Sequence, residues 1–175
     1  MPDPGLPSVA PAQHGAMPIQ FRTADGDDID GMRGVLGACY RRFAITDAWS
    51  ERVIRDCVES LASAAAFRAI LDKEQVHLAV AGAVCVGMVS VVDREIAALF
   101  VHPGSQHGGI GTALFRRAIA AIGNQGHQQA VVSVVAASAV GFYEKMGMRV
   151  TTTAKVAHGP CTGMTVTMMG MAIGG

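Results

Sequence analysis

The chain lacks the charge imbalance of proteins that bind nucleic acid or membrane surfaces. Its 175 residues include 14 Lys plus Arg and 14 Asp plus Glu, which gives a formal net charge of zero. Without an excess of positive charge there is no general electrostatic attraction to nucleic acid or to anionic lipid. We therefore expect neither nucleic acid nor a membrane as a partner.

The sequence also lacks the cysteine patterns of metal centres and disulfide scaffolds. Its four cysteines, at positions 39, 57, 85 and 161, include no Cys-x-x-Cys pair. Scattered cysteines of this kind are typical of reduced packing residues in a cytoplasmic protein. The pattern predicts a cytoplasmic location and no bound metal.

Only one segment is apolar enough to be considered as a membrane span, residues 76–92. This segment is rich in valine, contains His77 and is interrupted by Gly82. These features favour two adjacent buried strands joined by a turn over a helix that faces lipid. At the start of the chain, residues 1–17 hold four of the seven prolines and lack the pattern of a signal peptide. We expect a flexible tail there and a single domain over residues 18–175.

Glycine is concentrated between a predicted strand and a predicted helix within residues 99–114. Gly108, Gly109 and Gly111 leave out the Cβ atoms that would keep an anion away from the free N–H groups of the helix. Those donors and the helix dipole favour a phosphate or pyrophosphate. A purely structural turn is the alternative. A Walker loop is excluded because Ile110, not Lys, follows Gly109, and a dinucleotide fingerprint because Leu114 replaces its last glycine.

The remaining periodicities predict alternating strands and helices. Predicted strands cover residues 18–23, two segments of 76–92, 95–102, 129–135, 149–154 and 164–171. Predicted helices begin at Asp27 or Asp28, run from about 48 to 67 and from 109 to about 122, and surround Tyr143. Such an order implies an α/β fold with a mixed sheet covered by helices on both faces.

Two motifs together resemble the GCN5-related N-acetyltransferase (GNAT) family. Residues 106–111, Gln-His-Gly-Gly-Ile-Gly, resemble its acetyl-CoA loop Gln/Arg-x-x-Gly-x-Gly/Ala. Residues 139–148, Ala-Val-Gly-Phe-Tyr-Glu-Lys-Met-Gly-Met, resemble its later motif, a short helix that ends at a glycine. The chain departs from the family pattern at Ala136, where many members have Asn, and at Met148, where many have Phe.

The resemblance implies a mostly antiparallel sheet of about seven strands and acetyl-CoA as the acetyl donor. It also implies that the backbone of residues 99–101 pairs with the pantetheine arm like an added strand, with the Val101 N–H as a candidate oxyanion donor. The cofactor-binding residues expected on this basis are Leu99, Phe100, Val101, Gln106, His107, Gly108, Gly109, Ile110, Gly111 and Thr112.

Tyr143 and Glu95 are the candidate catalytic residues. The resemblance places Tyr143 where family members use a phenol to protonate the leaving thiolate. A tyrosine that only packs against the cofactor is the alternative. Glu95 corresponds to a catalytic glutamate of several members, and strand alternation predicts residues 95, 97, 99 and 101 on one face. A surface carboxylate at the end of the strand is the alternative.

In the architecture that the resemblance implies, the acceptor is expected to bind between the first two helices, around Phe43 to Trp49, and the hairpin at residues 155–163. A primary amine of a small, amino-acid-like molecule is the preferred class, and a peptide or protein N-terminus or lysine is the alternative. Asp47 can attract an ammonium group or cap a helix. Two other functions stay open: a catalytically silent CoA-binding module and an interaction protein that forms a homodimer through residues 164–171.

Overall fold

The structure is a computed structural model that describes residues 17–174. The predicted flexible tail therefore lies outside the described residues, except for Met17. Within the described part, seven strands form one sheet: β1 Ile19–Thr23, β2 Gln75–Ala81, β3 Val84–Val92, β4 Glu95–Val101, β5 Gln129–Val134, β6 Arg149–Lys155 and β7 Thr165–Ala172. Five α-helices flank it: α1 Ile29–Thr46, α2 Glu51–Ser60, α3 Ala64–Lys73, α4 Ile110–Asn124 and α5 Val140–Lys145.

The sheet is mixed and mostly antiparallel, with the strand order β1-β2-β3-β4-β5-β7-β6. β4 and β5 pair in parallel, and the other neighbouring strands pair antiparallel. The predicted fold class is therefore confirmed. β7 lies inside the sheet between β5 and β6, and the prediction of a dimer surface along residues 164–171 stays a prediction.

Each face of the sheet is covered by a different set of helices. On one face, α1, α2 and α3 pack through residues such as Met32, Cys57 and Phe67. On the other, α4 and α5 pack through residues such as Leu114 and Tyr143. α4 approaches the sheet closely at Gly87, where a Cβ would lie 3.0 Å from Leu114 Cδ1. This close approach places the first turns of α4 directly against β3.

Residues 76–92 form β2 and β3, as predicted from their valines and Gly82. Among the described residues, no helix is long and apolar enough to cross a membrane.

Two predictions about helices are wrong. The single helix expected over 48–67 is two helices, because the Ser63 side chain accepts the Ala66 N–H and starts α3 separately. The expected cap at Asp27 or Asp28 is also absent, since the Asp28 side chain makes no capping bond to α1. Instead, Asp28 pairs with Arg22 at 2.6 Å, and Asp25 caps the short 3₁₀ turn Gly26–Asp28.

Candidate active site

β4 and β5 separate soon after they begin to pair, and this separation opens the candidate site. Only Glu95 with Val131 and Ile96 with Val132 are paired between them. Beyond these pairs, residues 97–101 of β4 and 133–136 line a cavity of about 650 Å³. The cavity continues past the start of α4 on one side and past α1 on the other. A ligand in the gap would lie between two strands that no longer pair with each other.

The backbone of β4 presents to this gap groups that have no partner on a neighbouring strand. The His102 N–H donates to the Val86 carbonyl of β3 at 2.9 Å, so the Val101 carbonyl points the opposite way, into the gap. In a strand the N–H and C=O of one residue point to the same side, so the Val101 N–H also faces the gap, as do the groups of Leu99. The Phe100 backbone faces β3 instead. Leu99 and Val101 are therefore the residues of 99–101 that can pair with an added extended chain.

The Val101 carbonyl is held in place by two side chains. Gln106 Nε2 donates to it at 3.1 Å, and Cys39 Sγ donates to it at 3.3 Å. The Gln106 bond ties the glycine-rich turn to the end of β4. Cys39, in α1, was not singled out by the sequence reasoning, which treated it as a packing residue.

The start of α4 has the geometry of an anion site. Gly109 precedes the helix with φ +79° and no side chain caps it. The first helical bond runs from the Ala113 N–H to the Gly109 carbonyl, so the N–H groups of residues 110–112 have no partner within the helix. These donors and the helix dipole favour a phosphate group at this end of the cavity.

The cavity does not touch every predicted cofactor residue. Gln106, His107, Gly109, Gly111 and Thr112 line it, together with residues 99–101. Gly108 is absent from the lining, and Ile110 is only 6% exposed because its side chain packs in the core. Ala136, where the family pattern has Asn, also lines the cavity.

Tyr143 lies at the junction of the cavity and the core. Its ring contacts Phe142 and Phe115, with centroids 5.2 and 6.3 Å away, and the residue is 5% exposed. Its hydroxyl has no hydrogen-bond partner among residues 17–174. Burial raises the pKa of Tyr143 above its ordinary value. The phenol is therefore protonated at neutral pH and its proton is not engaged elsewhere.

The prediction that Glu95 shares a face with residues 97, 99 and 101 is wrong. In the pairing with β3, Val91 faces Ile96 while Ser90 faces Ala98, so Ala97 is an extra residue in β4, a β-bulge. The bulge reverses the alternation. Ile96, Leu99 and Val101 pack toward α4, and Glu95 lies on the face of Phe100, toward α1.

Glu95 lies beside the cavity and does not line it. Its carboxylate Oε1 is 3.5 Å from the Ser133 hydroxyl, and Ser133 does line the cavity. Ser133 is therefore the cavity-lining residue nearest to the Glu95 carboxylate among the hydrogen-bond partners of Glu95.

Asp47 has a structural partner far away in the sequence. Its two carboxylate oxygens accept the Ser138 N–H at 2.7 Å and the Ser138 hydroxyl at 2.6 Å. Asp47 therefore caps the 3₁₀ turn Ala137–Ala139 that leads into α5, whereas the sequence reasoning considered an ammonium or a helix cap at Asp47 without identifying this partner.

The end of the cavity next to α1 is apolar and aromatic. Four side chains, which we call the aromatic pocket, line it: Tyr40, Phe43, Trp49 and Phe100. Phe43 and Trp49 have ring centroids 4.8 Å apart, and Tyr40 and Phe100 have centroids 5.9 Å apart. The sequence reasoning placed an acceptor around Phe43 to Trp49 but did not identify Phe100, which comes from β4.

The cysteines are free thiols. Cys57 of α2 and Cys161 of the β6–β7 connection lie near each other, with their Sγ atoms 3.7 Å apart. Within residues 17–174, no three or more His, Cys, Asp or Glu side chains come together as metal ligands would.

Sequence comparison identifies the family. The family model described as "Acetyltransferase (GNAT) domain" matches residues 45–168, which include β4, the glycine-rich turn and α5. No curated protein sequence is similar enough to this chain to count as a match.

Solved structures share the fold at low sequence identity. A GCN5-related N-acetyltransferase from Rhodopseudomonas palustris is 22% identical, with a TM-score of 0.80 over 91% of this chain and 99% of that one. PaiA N-acetyltransferase from Thermoplasma acidophilum, in complex with coenzyme A, is 18% identical, with a TM-score of 0.72 over 89% and 99%. YncA from Salmonella typhimurium, with its cofactor acetyl-CoA, is 20% identical, with a TM-score of 0.63 over 90% and 95%. On the family match, the chain belongs to the GNAT family of acetyltransferases, whose acetyl donor is acetyl-CoA.

Proposed function

We propose that this protein transfers an acetyl group from acetyl-CoA to the primary amine of a small molecule by direct attack. The observation that carries the proposal is a single cavity that joins three features: the N–H groups at the start of α4 that have no partner within the helix, the backbone of Leu99 and Val101 that faces the gap between the strands, and the buried side chain of Tyr143. Each feature matches one requirement of the reaction: phosphate binding, thioester binding and proton donation.

The donor is proposed to enter between the separated strands. Its pyrophosphate binds the N–H groups at the start of α4, and its pantetheine amides pair with the backbone of Leu99 and Val101. PaiA and YncA, which share the fold, were solved with coenzyme A and acetyl-CoA respectively. Their bound cofactors support a CoA site in this fold, and the residues above are those we assign to it here.

The chemistry needs few groups because a thioester is already activated. The amine nitrogen attacks the thioester carbonyl carbon, the C–N bond forms, and the C–S bond breaks as the thiolate leaves. The Val101 N–H, which faces the gap, is the proposed donor to the oxyanion. The amine loses one proton, and the thiolate gains one.

Tyr143 is the proposed general acid and Glu95 the proposed general base. Tyr143 is one of the residues that line the cavity, and its hydroxyl keeps its proton because burial raises the pKa of Tyr143. Glu95 would receive the amine proton along Ser133, whose hydroxyl is 3.5 Å from the carboxylate. The bulge at Ala97 supports this role, since it turns Glu95 toward the α1 side, where the aromatic pocket lies.

The test of the proposal is acetyl transfer from acetyl-CoA to a panel of primary amines, followed by thiol release and by mass spectrometry of the amine. We expect thiol release that depends on the amine and an acetylated amine as the product. Acetylation of peptide N-termini or lysines alone would show that the acceptor is a peptide or protein, not a small molecule. CoA binding without transfer to any amine or peptide would leave a silent CoA-binding module, the outcome that Ala136 in place of Asn favours.

A further inference from the structure

The aromatic pocket gives the end of the cavity next to α1 a wall of four aromatic rings. Tyr40 and Phe43 reach it from α1, Trp49 from the α1–α2 connection and Phe100 from β4. Tyr40 and Trp49 are only 6% and 7% exposed, so the rings hold one another in place. Aromatic rings packed in this way give a rigid apolar surface.

The charged side chains that line the cavity disfavour acceptors with several positive groups, although the carboxylates of Asp47 and Glu95 lie just behind the lining residues Ser138 and Ser133. Of the described residues that line the cavity, Arg42 is the only one with a charged side chain, and none is Asp or Glu. A polyamine or an aminoglycoside brings further ammonium groups, which need carboxylate partners when they leave water. Here those groups would instead meet an apolar wall and the Arg42 cation.

Two hydrogen-bond donors of the pocket are without protein partners. In the described part of the chain, neither the Tyr40 hydroxyl nor the Trp49 indole N–H makes a hydrogen bond. Buried tyrosine and tryptophan usually direct these groups to a partner. Their position on the cavity wall makes them available to a bound molecule.

We propose that the acceptor is a monoamine that carries an aromatic group, which is bound by the aromatic pocket. The inference rests on the proposed function and names its substrate class. The ring of the acceptor packs against Phe43, Trp49 and Phe100, and its single amine points toward the gap where Val101 and Tyr143 face the thioester. Arg42, at the outer side, disfavours a second positive charge.

The kinetic test compares 2-phenylethylamine with 1,4-diaminobutane as acceptors. Burial of the phenyl ring should raise kcat/KM about 10–100-fold over the diamine. Phe43→Glu places a carboxylate in the pocket and should lower kcat/KM for 2-phenylethylamine about 10-fold and raise it for the diamine. Ile45→Glu is the matched control, because Ile45 is on the same helix, is 74% exposed and does not line the cavity. Ile45→Glu should leave the ratio of kcat/KM for the two amines unchanged. A higher kcat/KM of the unmodified enzyme for the diamine than for 2-phenylethylamine overturns the proposal.

A binding test makes the inference independent of turnover. Trp49 is the single tryptophan of the chain, so its fluorescence reports directly on the pocket. With the protein saturated with CoA, 2-phenylethylamine should give a saturable change and 1,4-diaminobutane should not. If CoA binds and neither amine is acetylated, the proposed function fails. The Trp49 fluorescence titration still tests whether the aromatic pocket binds an aromatic monoamine. No saturable change with 2-phenylethylamine, or a stronger one with the diamine, overturns the inference.

Discussion

Asp47 and Ser138, 91 residues apart in the sequence, are joined by two hydrogen bonds of 2.7 and 2.6 Å. Asp47 follows α1 and lies two residues before Trp49, while Ser138 follows β5 and lines the cofactor side of the cavity. The pair therefore connects the aromatic pocket to the strand gap. The contact ties the end of α1 to the segment that follows β5.

We expect Asp47→Ala to destabilise the protein by about 1 kcal/mol, since it removes a capping carboxylate. Ser138→Ala removes the hydroxyl hydrogen bond and keeps the backbone one, so it should lower the free energy of unfolding by less than Asp47→Ala does. The double variant should lose no more unfolding free energy than Asp47→Ala alone, because both substitutions remove the same contact. Urea unfolding of the three variants checks this. Asp56→Ala is the control, because the ion pairs of Asp56, with Arg52 and Arg55, lie at the surface. Strictly additive losses in the Asp47 and Ser138 variants would contradict the coupling.

Gly109→Glu should abolish CoA binding, because its carboxylate would occupy and repel the pyrophosphate position. Gly126→Glu is a matched control. Both glycines have positive φ, +79° and +87°, and neither has any atom within 4 Å of an added Cβ, so both substitutions carry the same backbone strain. Calorimetric titration with CoA measures the difference. Equal affinity in the two variants would place the phosphate site elsewhere.

Glu95→Gln should reduce the rate of acetyl transfer most at low pH, by about 10²-fold, and least as the pH approaches the pKa of the amine. The reason is that a base is needed only while the amine is protonated. The control is Asp93→Asn, which removes one negative charge two residues away at a turn position with φ +50° that Asn tolerates. A rate that falls equally at every pH would leave Glu95 with a structural role.

Tyr143→Phe should lower single-turnover acetyl transfer by about 10²-fold and leave CoA affinity unchanged, since the ring and its packing are kept. The pH dependence provides a second test. Burial raises the pKa of Tyr143 above its ordinary value of 10.0, so the acid form persists and the unmodified enzyme should show no loss of rate from this group at pH 10. A Phe variant as fast as the unmodified enzyme would show that Tyr143 only packs.

Local patterns predict the fold and suggest a donor loop, and they place the acceptor only coarsely, near Phe43 to Trp49. The glycine run from 108 to 111 and the helix around Tyr143 are continuous segments whose chemistry is read residue by residue. The bulge at Ala97 leaves no such signal, because β4 reads as an unbroken apolar run. The bulge depends on how β3 and β4 pair, and that pairing decides which side Glu95 faces.

The aromatic pocket illustrates the same limit. Tyr40 and Phe43 have the helical spacing of core residues, and their sequence alone gives no reason to place them beside Phe100. Their shared position arises only when α1 packs on the face of the sheet that holds Phe100. The Asp47–Ser138 contact likewise forms only in the tertiary structure. The sequence alone therefore could not decide whether Asp47 attracts an ammonium group or caps a helix.

The central claim is that acetyl moves directly from acetyl-CoA to an amine within this cavity. The most direct measurement is a rapid-quench single turnover with isotopically labelled acetyl-CoA bound to excess enzyme, with and without 2-phenylethylamine. We expect labelled acetyl-amine to form at the same rate as free thiol, and no labelled protein when the amine is left out. Label on the protein, with Cys39 of the cavity wall as the nearest thiol to the Val101 carbonyl, or thiol release without acetyl-amine, would contradict it.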